Sequence, residues 1–301
     1  MSKRQRAECK LARVTDAREG ASVATLVLRR DADGTRWEKD FLVAEEPLEI
    51  RLKEGEAEPE RFVVTMRTPG DDDDLVVGLL FGEGVIEHGD EILALGPPDD
   101  PRVAPELAKN VRVVTLAPRA DRPRARRATV MGSACGVCGR TSVDDVAAMA
   151  AAARRGKAEP RPGADPDVSI PAALLTSLPG ALRARQSVFS ATGGLHAAGL
   201  FESDGCLVLA REDVGRHNAT DKAVGAVLRS RWPCPPILLV SGRLGFEIAQ
   251  KAALAGVRIV AAVSAPTSLA VDLAEETGLT LVGFLRDERF NVYTHPGRIT
   301  R

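Results

Sequence analysis

The chain has 301 residues, of which 44% are hydrophobic and 28% charged, and its formal net charge is −1. This length fits two domains that bury a core without help from metals or disulfides. A balanced charge gives no general attraction to nucleic acid, and no apolar run approaches the roughly 18 residues of a membrane helix. We therefore expect a globular protein with no nucleic-acid partner and no membrane insertion.

The N-terminus is basic, as in signal peptides, but charged residues occupy the stretch that should be apolar. They are Glu8, Lys10, Arg13 and Asp16. This interruption argues against export, so we expect a cytoplasmic protein. The chain has five cysteines, and an odd count in a protein that is not exported favours reduced thiols.

The first half of the chain predicts mixed α and β structure. β-branched and aliphatic residues predict strands over residues 22–28, 41–52 and 62–66, with a turn at 31–34. Aspartates at 71–74 precede an apolar run, which predicts a helix whose acidic first turn suits the positive end of the helix dipole. Adjacent carboxylates also suit a cation, but a capped and solvated helix start is the simpler interpretation. We assign no metal to them.

A strand predicted over residues 111–116 is followed by a cluster of arginines just before a glycine-rich loop. Two interpretations stay open: a solvated connector, or an electropositive rim that lowers the pKa of a thiol or receives an anionic partner. Beyond the loop we predict a helix over 142–155 and a linker rich in proline and glycine near 157–169. The arginines are Arg119, Arg122, Arg124, Arg126 and Arg127.

The loop contains Cys135 and Cys138, which are the one close pair of cysteines in the sequence. Glycines on both sides predict that the pair is presented outside the core. The other cysteines are isolated and complete no second pair, so a structural zinc site is disfavoured and we expect no metal. The pair instead indicates thiol exchange chemistry.

In the second half, short aliphatic runs alternate with helical stretches. Strands are predicted over residues 237–240, 258–263 and 280–284, and helices over 244–254 and 268–277. Right-handed crossovers make the strands of such a βαβαβ unit parallel and place its helices over the sheet.

Loops at the carboxyl ends of these strands share one edge of the sheet, where α/β proteins usually bind ligands. Gly242 permits close backbone approach, and Arg243, Arg286 and Arg289 suit phosphates. Neither the dinucleotide-binding nor the P-loop glycine motif occurs there. The edge therefore predicts a site for a phosphorylated ligand.

Upstream of this unit, a segment of small residues leads to a polar helix. His217 and Asp221 would share one face of this helix, with Asn218 and Lys222 on the next. Such a cluster indicates a functional role. His196, which lies among Leu and Ala residues, is interpreted as a hydrogen-bonded core or interface histidine.

Taken together and in order, five segments resemble the FdhD/NarQ family of formate dehydrogenase accessory sulfurtransferases. The resemblance runs from about residue 45 to residue 299, and leaves only the N-terminal tail and the linker unmatched. The segments are GSACGVCG at 132–139, ATGGLH at 191–196, EDVGRHN at 212–218, SGR at 241–243 and FNVYTH at 290–295.

The resemblance implies that the protein takes persulfide sulfur from a cysteine desulfurase. It would pass this sulfur to the molybdenum or tungsten bis(molybdopterin guanine dinucleotide) cofactor of formate dehydrogenase. Cys135 would carry the persulfide, and Cys138 would assist sulfur release or form a disulfide. GDP would mimic part of the cofactor, and the family likeness favours a homodimer. The residues implied to lie against the guanine dinucleotide are Phe284, Leu285, Arg286, Asp287, Glu288 and Arg289.

The expected fold is α/β overall. Residues 1–128 would form a mixed α+β N-terminal domain, 129–142 the cysteine loop, and 143–301 a three-layer α/β domain. By the resemblance, this second domain is related to the cytidine deaminase fold.

Other classes of function remain as alternatives. A cofactor-binding chaperone for formate dehydrogenase would use the cysteines only structurally. A zinc deaminase would need His-x-Glu ahead of Pro-Cys-x-x-Cys, whereas the chain offers only residues 88–90, His-Gly-Asp, and has Ala134 in place of the proline. In a thiol-disulfide oxidoreductase the pair would open a helix, and the flanking glycines disfavour that arrangement.

Overall fold

The computed structural model of the protein describes residues 20–100, 103–119, 129–131, 168–230 and 234–301. Its strands form a five-stranded sheet, a six-stranded sheet and two sheets of two strands. Strands and helices mix along the chain, which confirms the α/β prediction in its general form. None of the helices in these ranges is long and apolar enough to cross a membrane.

The elements are numbered along the chain. The strands are β1 (Ser22–Asp31), β2 (Gly34–Val43), β3 (Glu46–Glu54), β4 (Glu60–Arg67), β5 (Ile92–Gly96), β6 (Val111–Leu116), β7 (Thr129–Met131), β8 (Ile170–Pro171), β9 (His196–Phe201), β10 (Leu207–Asp213), β11 (Ile237–Val240), β12 (Ile259–Ala262), β13 (Thr280–Arg286), β14 (Arg289–Val292) and β15 (Ile299–Thr300). The helices are α1 (Asp72–Gly82), α2 (Pro105–Ala108), α3 (Ala172–Arg183), α4 (Ser187–Thr192), α5 (Arg216–Ser230), α6 (Phe246–Ala255) and α7 (Ser268–Glu276).

The chain enters the described structure through an antiparallel hairpin of β1 and β2. The predicted strand over 22–28 and the turn at 31–34 are confirmed, with β1 running on to Asp31. The predicted strand over 41–52 is two strands, because the chain leaves the hairpin at Ala44 and Glu45 and enters β3.

The first large sheet has the strand order β5-β6-β3-β4-β7. β3 pairs antiparallel with β4 and parallel with β6. The strands predicted over 62–66 and 111–116 are confirmed within β4 and β6. The apolar side chains of β3, β4 and β6 that face the core, such as Leu48 and Ile50, are fully buried.

The second large sheet has the order β10-β9-β11-β12-β13-β14. β11, β12 and β13 are parallel neighbours joined through α6 and α7, which confirms the predicted βαβαβ unit. β9, β10 and β14 extend the unit with antiparallel pairs. Because β9 is antiparallel to β11, the start of β9 lies beside the end of β11.

Helices cover both faces of the second sheet. α3 packs on one face through Leu175, Leu178 and Leu182. On the other face, one continuous core includes residues of α5, α6 and α7, of α1, and of the first sheet. α1 and α5 cross so closely that a Cβ on Gly78 or Gly225 would overlap the backbone of the other helix. The two halves thus share a core, while their division at residues 128 and 143 stays a prediction.

The predicted solvated start of α1 is wrong. Asp74 is only 5% exposed, and it accepts hydrogen bonds from Arg211 Nη2 at 2.8 Å and Arg229 Nη1 at 2.6 Å. Asp72 is also buried, against Arg67 Nε at 2.9 Å. The reason is that arginines from both halves of the chain converge here and neutralise the carboxylates. The aspartates therefore join the two halves.

We predict that Asp74→Ala lowers the free energy of unfolding by about 3 kcal/mol, because Arg211 and Arg229 lose the carboxylate that they share. Urea unfolding followed by circular dichroism measures this. Asp272→Ala is the matched control, since Asp272 is exposed on α7 and should change stability by less than about 0.5 kcal/mol. Equal losses in the two variants would contradict the account.

Candidate functional site

The candidate site lies where β9 begins and β11 ends. The amide of Ser241 donates to the carbonyl of Ala197, and the amide of Ala197 donates to Ser241 Oγ, both at 2.9 Å. These paired bonds fix the loop after β11 against the first residue of β9, His196. The sheet edge predicted to bind a ligand is therefore shared by a histidine from outside the βαβαβ unit.

Gly242 is buried at this edge between two side chains. A Cβ built on it would lie 3.1 Å from His196 Nδ1 and 3.5 Å from Arg216 Cδ. The missing side chain lets an imidazole and a guanidinium stem approach the loop backbone. The predicted close approach at Gly242 thus involves His196 and Arg216, the first residue of α5.

The local charge at this edge is positive, and it affects the pKa of His196. Burial lowers the pKa of His196 from its ordinary value, and the positive charges of Arg216, His217 and Arg243 lower it further, against the opposing charge of Asp213. His196 is therefore neutral near pH 7, able to donate from one ring nitrogen and accept at the other. Arg216 and Arg243, which are permanently charged, lie near it.

Arg216 has a buried Nε atom with no hydrogen-bond partner among the described residues. An unsatisfied buried donor of a charged group costs free energy unless a ligand or water satisfies it. Arg243 is exposed in the neighbouring loop. Sequence reasoning selected Arg243 but missed Arg216, although the segment 212–218 that contains it was part of the family resemblance.

Asp213, which was also missed, holds the start of α5 in place. Its carboxylate accepts from the amide of Gly215 at 2.9 Å and from the amide of Thr68 at 3.1 Å. Lys222 Nζ lies 2.6 Å from it, and both side chains are fully buried. Asn218 Nδ2 donates to it at 3.1 Å. Asn218 and Lys222 of the polar cluster thus hold Asp213 and the start of α5 in position.

The other face of the polar cluster connects α5 to α6. His217 Nε2 lies 2.6 Å from Glu247, and Lys251 Nζ lies 2.6 Å from Asp221. Burial alone would raise the pKa of Glu247, but the hydrogen bond and charge of His217, with Lys251 and Arg216, hold it below its ordinary value. Glu247 is therefore ionised near neutral pH, whereas burial raises the pKa of Asp221 despite its ion pair with Lys251.

Backbone hydrogen bonds join the loops after β11 and β12 to each other and to the end of β13. The amide of Leu244 donates to Ala265 O at 3.1 Å, and the amide of Phe284 donates to Ser264 O at 3.0 Å. Phe284 has a φ of 55°, in the left-handed region, where the register of β13 and β14 shifts. Such irregularities change the direction in which a side chain points. The side chains of Phe284 and of Tyr293, which follows β14, are both exposed.

The sequence predicted that Arg286 and Arg289 lie in a loop at the end of a strand, but they lie in a β-hairpin. β13 runs two residues further than expected, and Arg286 pairs with Arg289 across a tight hairpin whose turn is Asp287 and Glu288. All four side chains are exposed, whereas Leu285 is fully buried. In sheet order β13 lies two strands from β11, a lateral spacing of roughly 10 Å, and the hairpin extends beyond the part of β13 that pairs with β12.

Cys135 and Cys138 lie outside the described residues, and so do four of the clustered arginines. The fifth, Arg119, forms ion pairs with Glu91 at 3.1 Å and Glu87 at 3.5 Å. Cys234 is a buried thiol outside any disulfide, whereas Cys206 is disulfide-bonded, so the expectation of reduced thiols fails at Cys206. Within the described ranges no group of three or more His, Cys, Asp or Glu side chains could hold a metal ion.

Fold and edge together define an α/β protein with a cationic site at its strand ends. A sequence model of the FdhD/NarQ family matches residues 43–300, so the chain belongs to that family. It is 45% identical over 279 residues to the sulfur carrier protein FdhD of Nocardia farcinica, across 91% of this chain and 93% of that protein. It is 47% identical over 293 residues to the sulfur carrier protein FdhD of Streptomyces avermitilis, across 96% of this chain and 97% of the relative.

The fold has a counterpart among solved structures. The crystal structure of a candidate formate dehydrogenase accessory protein from Desulfotalea psychrophila superimposes with a TM-score of 0.67. The match covers 93% of this chain and 100% of that one, at 24% sequence identity. At this identity the likeness establishes the shared fold.

We predict that Arg216→Met raises the pKa of His196, because it removes one of the cations that hold this pKa below 6.5. A pH titration of the imidazole signals by NMR measures the change. Arg30→Met removes a cation from the exposed hairpin and should leave the pKa of His196 where it is in the unaltered protein. The electrostatic account fails if the two variants titrate alike at His196.

Proposed function

We propose that this protein is a sulfur carrier that delivers persulfide sulfur to the molybdenum or tungsten bis(molybdopterin guanine dinucleotide) cofactor for formate dehydrogenase. The observation that carries the proposal is the edge at His196 and Gly242, which Arg216 and Arg243 make cationic, in a chain whose relatives are named sulfur carrier proteins. Phosphates of a guanine dinucleotide are the kind of anion that such an edge binds.

Cys135 takes the sulfur in this proposal. Its thiolate attacks the terminal sulfur of a cysteine desulfurase persulfide, the sulfur–sulfur bond of the donor breaks, and the desulfurase thiolate leaves. The product is a persulfide on Cys135. An ordinary thiol has a pKa of about 8.5, so positive charge near Cys135 is needed to supply the thiolate.

Cys138 provides the route by which sulfur leaves Cys135. Its thiolate attacks the inner sulfur of the Cys135 persulfide, which forms a disulfide between the two residues and expels hydrosulfide. The hydrosulfide is the form in which sulfur reaches the cofactor. A thiol reductant then restores the pair, consistent with the general chemistry of thiol–disulfide exchange.

The cofactor is the substrate, and the sheet edge holds its nucleotide arm. Arg243, and Arg216 with its unpartnered Nε, neutralise phosphate charge, while neutral His196 supplies a hydrogen bond. Exposed Phe284 offers a face on which a guanine base stacks, and Arg286 and Arg289 extend the cationic surface beside it.

A cysteine desulfurase, formate dehydrogenase and a second copy of the chain are the partners in this proposal. We also retain, as a proposal, the relation of the C-terminal half to cytidine deaminases. A mixed sheet with helices on both faces supports it. A zinc-dependent reaction is not part of the proposal, because His88 lies on the first half, at an exposed turn before Glu91.

We predict that incubation with a cysteine desulfurase and cysteine adds one sulfur atom to Cys135. Peptide mass spectrometry locates it. Cys135→Ser should abolish both the persulfide and the activation of formate dehydrogenase, whereas Cys234→Ser, which alters a buried thiol, should preserve both. Full activation by Cys135→Ser would contradict the carrier role and favour a cofactor-binding chaperone.

A further inference from the structure

The edge proposed to bind phosphate also carries a carboxylate, that of Glu247. Helix α6 begins at Phe246, shortly after Gly242, so its first turn starts at the same end of β11 as the candidate site. Glu247 lies in that first turn, and 23% of its side chain is exposed. A negative charge at the start of a helix is favourable for the helix dipole. At an anion-binding edge it also opposes the ligand, and this second effect has a functional consequence.

The carboxylate of Glu247 lies among the cations of the site. Its Oε2 atom is 2.6 Å from Nε2 of His217, which lies in the first turn of α5. Burial raises the pKa of Glu247, but the hydrogen bond and charge of His217 and the charges of Lys251 and Arg216 lower it further, so the net shift is downward. Glu247 is therefore ionised near neutral pH and close enough to Arg216 to interact with its charge.

Asp213 also lies near the edge, but its charge is compensated beneath the surface. Asp213 and Lys222 are fully buried and 2.6 Å apart, so their opposite charges cancel there. Glu247 instead keeps contact with solvent. Arg216 beside it has a buried Nε atom with no hydrogen-bond partner among the described residues. A phosphate that accepts a hydrogen bond from this Nε atom would therefore come close to the carboxylate of Glu247.

Phosphates differ in the charge that they bring to this position. A terminal phosphate monoester carries between about 1.5 and 2 negative charges at pH 7, because its second pKa is about 6. A phosphate inside the diphosphate of a dinucleotide has no second proton to lose, so it keeps a single negative charge. The arginines of the edge attract both kinds of phosphate, whereas the carboxylate of Glu247 opposes the additional charge of the terminal one.

We propose that Glu247 is a specificity-determining residue, which selects the internal diphosphate of a dinucleotide against the terminal phosphate of a mononucleotide. This inference rests on the proposed function and deepens it, since it names the class of phosphate that the edge accepts. Coulomb's law gives the size of the effect. One unit of charge at roughly 6 Å, with an effective dielectric constant of about 40, changes the affinity about tenfold.

Calorimetric titration of GDP and of its β-methyl ester at about pH 8 tests the inference. The two ligands share the guanosine and the diphosphate, and they differ by one methyl group and one negative charge. In Glu247→Gln, which keeps the size of the side chain and removes its charge, the affinity for GDP should rise about tenfold relative to the affinity for the ester. The matched control is Glu276→Gln, which makes the same change at the exposed end of α7, on the opposite edge of the sheet. It should keep the ratio of the two affinities within about twofold of the unaltered protein.

The ratio of the two affinities separates an effect of charge from an effect of structure. If Glu247→Gln only displaced His217 or Arg216, both ligands would change affinity alike, because they make the same contacts with these residues. Thermal unfolding establishes that the variant is folded, and Glu247→Ser provides the same comparison if it is not.

The two possible failures have different signatures. An unchanged ratio in a folded variant that binds both ligands would overturn the inference and leave the proposed function intact. An equal change of the ratio in Glu276→Gln would also overturn the inference, because the effect would then not be specific to the edge. Failure of the unaltered protein to bind either ligand would instead overturn the nucleotide site of the proposed function, and the inference with it.

Discussion

The buried ion pair between Asp213 and Lys222 is the contact on which the candidate site depends. Burying two charges is costly, and the cost is offset only because the carboxylate also accepts the amides of Gly215 and Thr68. Thr68 follows Arg67, the last residue of β4 in the first half, and Gly215 precedes α5. One carboxylate therefore fixes the two halves relative to each other, and it sets the position of Arg216.

Local charge, and not net charge, determines what this edge can bind. The whole chain carries a formal charge of −1, yet Arg216 and Arg243 both lie near His196 at the edge, while Asp213 is ion-paired with Lys222 and Glu247 is hydrogen-bonded to His217. The field in front of the strand ends is therefore positive. Such a site can hold a phosphorylated ligand.

The sequence predicted what depends on neighbouring residues and missed what depends on distant ones. The βαβαβ unit was predictable because aliphatic runs alternate with helical stretches. The ion pairs of Asp74 were not, because Arg211 and Arg229 lie far along the chain. One local feature was also missed: β14 pairs with β13 across the two-residue turn of Asp287 and Glu288, and this turn lacks the glycine that usually marks a tight hairpin in a sequence. The sequence predicted a close approach at Gly242, but it did not identify His196 and Arg216 as the residues that approach it.

Calorimetric titration of GDP tests the central claim, that the strand-end edge binds the nucleotide arm of the cofactor. The account predicts that GDP binds the unaltered protein and that Arg243→Ala, Arg286→Ala and Arg289→Ala each lose about one to two decades of affinity, since each removes a charge-assisted contact. Arg30→Ala, on the exposed hairpin, should bind normally. Equal affinity in all of these proteins, or no binding in any, would contradict the account.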